Sequence, residues 1–178
     1  MACFISAGHH LKDPGAVANG TTEAAEMIKF RDLVAGFCRR RGLKVVVDDD
    51  NETLAQYLHR IQTGNGSVVV EFHLNASGAG ASGALAVVGE DADRLDKMFA
   101  AEMSATCAQI LGIQNRGVIP EGQSHRGRLG LMREEGIVSL LEICFIDNQG
   151  DMTKFRTNAP YLAAEISNII AKYEALVQ

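Results

Sequence analysis

The chain has 178 residues, 47% of them hydrophobic, which suffices for one domain with a substantial core. A net charge of −5 argues against a nucleic-acid partner, which would need clustered Lys and Arg, and against attraction to an anionic membrane. No apolar run approaches the ~20 residues of a membrane span, and the start, MACFISAGHH, lacks the basic segment of a secretory signal.

Residues 2–6 read as a short buried strand leading to Gly8. Residues 22–41 read as a helix, with Gly42 where a helix-ending glycine is expected. Lys44–Val47 is a second strand, and Asn51 a cap for a helix over residues 52–63. The β-branched run Ser67–Leu74 predicts a third strand and residues 84–88 a fourth. Leu95, Met98, Phe99, Met103, Cys107, Ile110 and Leu111 recur at helical spacing, which predicts an amphipathic helix over residues 91–111. Residues 113–133 read as irregular, Ile137–Ile146 as a strand, and Ala159–Val177 as a closing helix with Pro160 near its first turn.

Strands separated by helices imply a single α/β domain over residues 1–178. The expected sheet is twisted and mixed but mostly parallel, with five to six strands and helices on both faces. Sites in such sheets form outside the carboxyl ends of strands. Cys3, Cys38, Cys107 and Cys144 lie far apart in apolar patterns and read as buried thiols of a protein made in a reducing compartment.

Four short signatures fall on this frame: Gly8-His9, Gly20-Thr21-Thr22-Glu23, Phe72-His73-Leu74-Asn75 and Leu141-Glu142-Ile143-Cys144-Phe145. Two imidazoles and one carboxylate with an open position are a ligand set of catalytic zinc, and a further carboxylate beside the bound water completes hydrolytic machinery. Met27, Phe30, Val34, Phe37 and Cys38 define the buried stripe of the first helix. At about 100° per residue Glu23 falls at its centre and Glu26 roughly 60° to one side, so Glu23 is the better ligand candidate and Glu26 the fallback. The alternative for Glu23 is a purely helix-dipole role. Glu142 interrupts an apolar strand, either as a base facing the site or as the partner of an arginine from residues 126–133. Cys144 with His125 or His73 would make a thiol hydrolase, but a thiol in an apolar strand is a poor nucleophile.

At these residues the chain resembles the zinc-dependent N-acetylmuramoyl-L-alanine amidases of the type-3 class. Gly8-His9-His10-Leu11-Lys12-Asp13-Pro14-Gly15-Ala16 is similar to their Gly-His-Gly-Gly followed by Asp-Pro-Gly-Ala. Asn19–Glu23 resembles their asparagine-glycine and glutamate motif, His73-Leu74-Asn75 their His-Ala-Asn, and Leu141–Asn148 their Val-Glu-x-Gly-Phe-x-x-Asn. The resemblance runs from about residue 3 to the C-terminus. It implies one Zn2+ held by His9, Glu23 and His73, Glu142 as the catalytic carboxylate, and hydrolysis of the amide between the lactyl group of N-acetylmuramic acid and L-alanine of the stem peptide.

The chain departs from the pattern at His10 and Cys144, which replace glycines, and at Leu74, which replaces a small residue. His10 offers a second imidazole beside His9. Glu71 stands where the family has a small or polar residue; it reads either as the partner of an imidazole N–H or as a solvated or structurally paired carboxylate. Asn75, Arg126 and Arg128 are candidate substrate contacts, the arginines because stem carboxylates suit bidentate recognition; a solvated loop is the other reading. The expected partner is peptidoglycan, with no nucleic acid, no membrane insertion and a monomeric enzyme. Synthesis without a leader suits an endolysin, which waits in the host cytosol until the membrane is permeabilised. Other readings are a zinc amidohydrolase or carboxypeptidase of the same fold, or a wall-binding module without catalysis.

Overall fold

The structure, a computed structural model, describes residues 2–78, 80–124 and 126–177. In chain order its elements are β1 (Cys3–Ala7), β2 (Val17–Ala18), β3 (Thr21–Thr22), α1 (Glu23–Arg40), β4 (Val45–Val47), α2 (Leu54–Arg60), β5 (Val68–Asn75), β6 (Ala84–Val88), α3 (Arg94–Leu111), β7 (Asn115–Pro120), β8 (Ile137–Phe145) and α4 (Gln149–Leu176). Six strands form one sheet in the order β4-β1-β5-β8-β6-β7, and β2 pairs with β3 apart from it. Strands β4, β1, β5 and β8 run parallel. Strand β6 lies antiparallel to β8 and carries β7 parallel on its outer edge. The mixed, mostly parallel α/β sheet is the expected architecture.

The two faces are covered unequally, and this positions the site. Side chains alternate along each strand. Val68, Val70, Phe72 and Leu74 of β5 join the large core built with α1, α3 and α4. Val69 of β5, Phe4 of β1, and Val138 and Leu140 of β8 face the other way, against Tyr57 of α2 and Leu131 of a 3-10 turn at Gly130–Arg133. That second cover is short. Continuing the alternation toward the carboxyl ends puts Glu71, His73 and Glu142 on the face that α2 leaves partly open.

Helix α1 begins where Thr22 Oγ1 accepts the Ala25 N–H. It ends at Gly42, whose φ of 83° needs no Cβ and whose N–H donates to the Arg39 carbonyl, while the Leu43 N–H returns to Cys38. Its buried Arg31 donates to the Asp48 and Asp50 carboxylates from Nη1 and Nη2, tying the helix to the segment after β4.

Three expectations are corrected. The stretch at 113–133 is not wholly irregular: Asn115–Pro120 is edge strand β7, half exposed and polar at its start, so it lacks the apolar alternation that marks a strand. Helix α4 starts at Gln149, ten residues before the predicted start. Asn148 caps it by accepting the Asp151 N–H, Met152 and Phe155 extend its buried stripe, and Pro160 lies inside it. Helix α2 is shorter than expected, because Thr53, not Asn51, closes a capping box with Gln56. Among the described residues no helix is long and apolar enough to cross a membrane.

Candidate metal centre

The centre gathers at the carboxyl ends of β1 and β5, with Glu23 reaching in from the first residue of α1. His9 follows β1 through Gly8 and takes a left-handed φ of 70°. Two glycines make room for the rings. A Cβ at Gly8 would stand 2.2 Å from His73 Cε1, and one at Gly15 would stand 2.4 Å from His9 Cδ2. The imidazoles meet edge to face, with centroids 5.5 Å apart.

Glu23 sits between them. Its Oε1 lies 2.7 Å from His73 Nδ1 and its Oε2 3.3 Å from His9 Nε2. The Leu74 and Ala16 backbone N–H groups donate to the same two oxygens. Each imidazole has its other nitrogen against a carboxylate outside the trio: His9 Nδ1 is 2.9 Å from Asp13 Oδ2, and His73 Nε2 is 2.9 Å from Glu71 Oε1. One ligand atom each from His9, Glu23 and His73 can be chosen so that all lie within 4.8 Å of one another. Imidazoles backed by carboxylates, with their free nitrogens converging on a third donor, fit a cation.

The electrostatics match. Burial opposes ionisation of Glu23, but hydrogen bonds from His73 and His9 outweigh it and hold the carboxyl far below the usual range. Burial also opposes the His73 cation, yet Glu23 and Glu71 raise its pKa to about 9. Glu23 raises His9 in the same direction, against burial. A cation bound there would replace protons that the carboxylates already hold in place.

Glu142 stands beside His73 in the β5–β8 register. Burial raises its pKa, against His73 and Arg126, which lower it. Its Oε1 accepts from Arg126 Nε at 3.2 Å, while its Oε2 is buried without a partner. Arg126 Nη2 also reaches to 3.5 Å from Glu23 Oε1. Two clefts meet at this arginine. One of about 360 Å³ contains His9, His73, Glu71, Asp48 and Tyr57; the other, of about 720 Å³, contains Glu142, Asn75, Ser124 and Arg116.

The structure thus brings His9, Glu23, His73, Glu142 and Arg126 together and places Asn75 on the wall of the larger cleft. It does not bring in Glu26, which is held by Thr21 Oγ1 and Arg156. Arg128 is exposed and lines neither cleft. His10 lines the smaller cleft, but its Nδ1 accepts the Lys12 N–H and it lies outside the cluster. Burial raises the Cys144 pKa well above the ordinary thiol value, and its Sγ lies 4.0 Å from Met152 Sδ, so it is no nucleophile. The alternative partner His125 lies outside the described residues. Asp13 behind His9 was missed as a site residue, although it stands four residues on within a turn closed by the His10–Asp13 bridge.

The N-acetylmuramoyl-L-alanine amidase family matches residues 3–172. The "Probable autolysin PH" of Staphylococcus aureus is 28% identical over 176 residues, covering 87% of this chain and 35% of that protein, so the chain spans about a third of its length. A Neisseria meningitidis protein assigned as an N-acetylmuramoyl-L-alanine amidase superposes with a TM-score of 0.78 at 26% identity, over 96% of this chain and 94% of that one. The N-acetylmuramoyl-L-alanine amidase of Clostridium difficile 630 shares the fold, with a TM-score of 0.79 at 19% identity, over 97% and 95% of the two chains.

Proposed function

The chain belongs to the N-acetylmuramoyl-L-alanine amidase family, and from that premise we propose that it is a zinc-dependent peptidoglycan amidase cleaving the bond between N-acetylmuramic acid and L-alanine. The observation that carries the reading is the pair of imidazoles turned on Glu23 with Glu142 alongside, one carboxylate oxygen unpartnered. His9, Glu23 and His73 would hold the metal. When bound, zinc supplies Lewis-acid polarisation of the scissile carbonyl and lowers the pKa of a bound water.

The chain's own groups do the rest. Burial shifts Glu142 toward the neutral range where a general base works best, and its free Oε2 is the atom to take the water proton. The same oxygen then returns the proton to the L-alanine nitrogen as the C–N bond breaks. Arg126 offsets the negative charge shared by Glu23 and Glu142, and its place between the clefts suits it to orient a carbonyl or carboxylate of the stem.

Glu142→Gln is expected to abolish release of soluble stem peptide from purified peptidoglycan while zinc stays bound stoichiometrically; retained turnover would refute the base role. Mass spectrometry of the released ends, with and without zinc, distinguishes this bond from another amide. The lytic role rests on the autolysin relative. Clearing of permeabilised Gram-negative cells, lost with EDTA, supports an endolysin-type activity; intact sacculi with stem peptide uncut would sink it.

A further inference from the structure

We propose that Glu71 is a positioning residue for His73, fixing the ring so that Nδ1 faces the metal site. The inference rests on the zinc reading above.

Glu71 lies two residues before His73 on β5, hence on the same face. Its Oε1 is 2.9 Å from His73 Nε2, and its Oε2 accepts the Ser6 hydroxyl at 3.1 Å from the adjacent parallel strand, where Ser6 and Glu71 are direct register partners. Glu71 is only 4% exposed, and among the described residues no lysine or arginine pairs with it. A carboxylate buried without a cation is costly. Here that cost is offset by one imidazole and one hydroxyl, which ties the residue to the ring rather than to the general stability of the sheet.

The geometry also decides the orientation of the ring. Rotating the imidazole by half a turn would exchange Nδ1 and Nε2 for ring carbons and leave both Glu23 and Glu71 facing C–H groups. Only this rotamer sets a ring nitrogen against each carboxylate; with Glu71 accepting from Nε2–H, loss of the other proton leaves the tautomer whose Nδ1 lone pair faces the metal site. The ring in this orientation occupies the space that glycine at position 8 leaves open, since any Cβ there would overlap it.

The test uses the full chain with zinc, and with cobalt as a spectroscopic substitute. Competition against a chromophoric chelator is expected to give a zinc Kd weakened toward 100-fold in Glu71→Ala and about 10-fold in Glu71→Gln, which keeps an acceptor but loses the charge. The visible absorption of the cobalt-loaded Ala variant is expected to depart from wild type, and that of the Gln variant to return toward it. Thermal unfolding of the metal-free proteins separates a stability effect. An unchanged zinc Kd in Glu71→Gln overturns the proposal even if Glu71→Ala fails to fold. So does a lower metal-free Tm with unaltered metal binding. A wild type that binds no zinc defeats the underlying metal reading, whereas a zinc-binding wild type with unaltered variants defeats this inference alone.

Discussion

Gly15 and Gly20 offer a matched pair for testing how the first imidazole is held. Both are left-handed, with φ of 64° and 72°, so alanine at either pays the same backbone penalty. That penalty is about 1–2 kcal/mol, or about 2–8 °C in Tm for a domain of this size. Only Gly15 has neighbours: a Cβ there lies 2.4 Å from His9 Cδ2 and 2.8 Å from Glu23 Oε2, whereas nothing lies within 4 Å of a Cβ at Gly20. Ordinary contact begins near 3.4 Å, so the His9 ring must retreat by about 1 Å. Metal–ligand distances tolerate only about 0.2 Å. Gly15→Ala is therefore expected to cost more zinc affinity than the 10–100-fold of a lost outer partner, and Gly20→Ala none. Denaturant unfolding in EDTA reads the backbone cost, and chelator competition reads the metal. If the two variants bind zinc equally well, Gly15 does not shape the site as argued.

Arg31→Ala leaves Asp48 buried without its guanidinium and is expected to cost about 3–5 kcal/mol in urea unfolding, with part recovered by adding Asp48→Asn. A loss below about 1 kcal/mol would show that the adjoining cleft already solvates Asp48. His73 titrates near 9 in the metal-free fold, because Glu23 and Glu71 outweigh burial, against about 6.5 unfolded. Its contribution to stability is fully present below pH 6.5 and is lost as pH rises through 9. The difference in urea midpoint between metal-free wild type and His73→Asn should shrink across that window; a constant or growing difference contradicts the assignment. Zinc affinity should move the opposite way, rising with pH as the competing protons leave.

How far the sequence carried depended on whether a residue's role was local. Glu23 could be ranked above Glu26 because both lie on one helix and the wheel separates them; the structure puts Glu23 between the imidazoles and ties Glu26 to Arg156. The β-branched run leading to His73 and the apolar run around Glu142 marked strands buried on both faces. Strand β7 escaped because an edge strand need not be apolar, and the start of α4 escaped because Pro160, which favours a first turn, lies inside the helix while the capping Asn148 stands well ahead of it. Arg126 and Arg128 are indistinguishable by residue type and neighbourhood. Only the course of the loop decides that one bridges Glu23 and Glu142 while the other stays in solvent. The Ser6–Glu71 contact joins residues 65 apart and exists only once β1 and β5 pair in register.

The four cysteines carry a consequence for handling and habitat alike. All are buried and unbridged, and burial pushes the thiols of Cys3 and Cys38 up to about 12. The fold needs no oxidase to form and offers oxidants no thiolate to attack. The same fold can keep its shape amid glutathione or in oxidising surroundings, and zinc binding can be tested without the dithiol reductants that would compete for the metal.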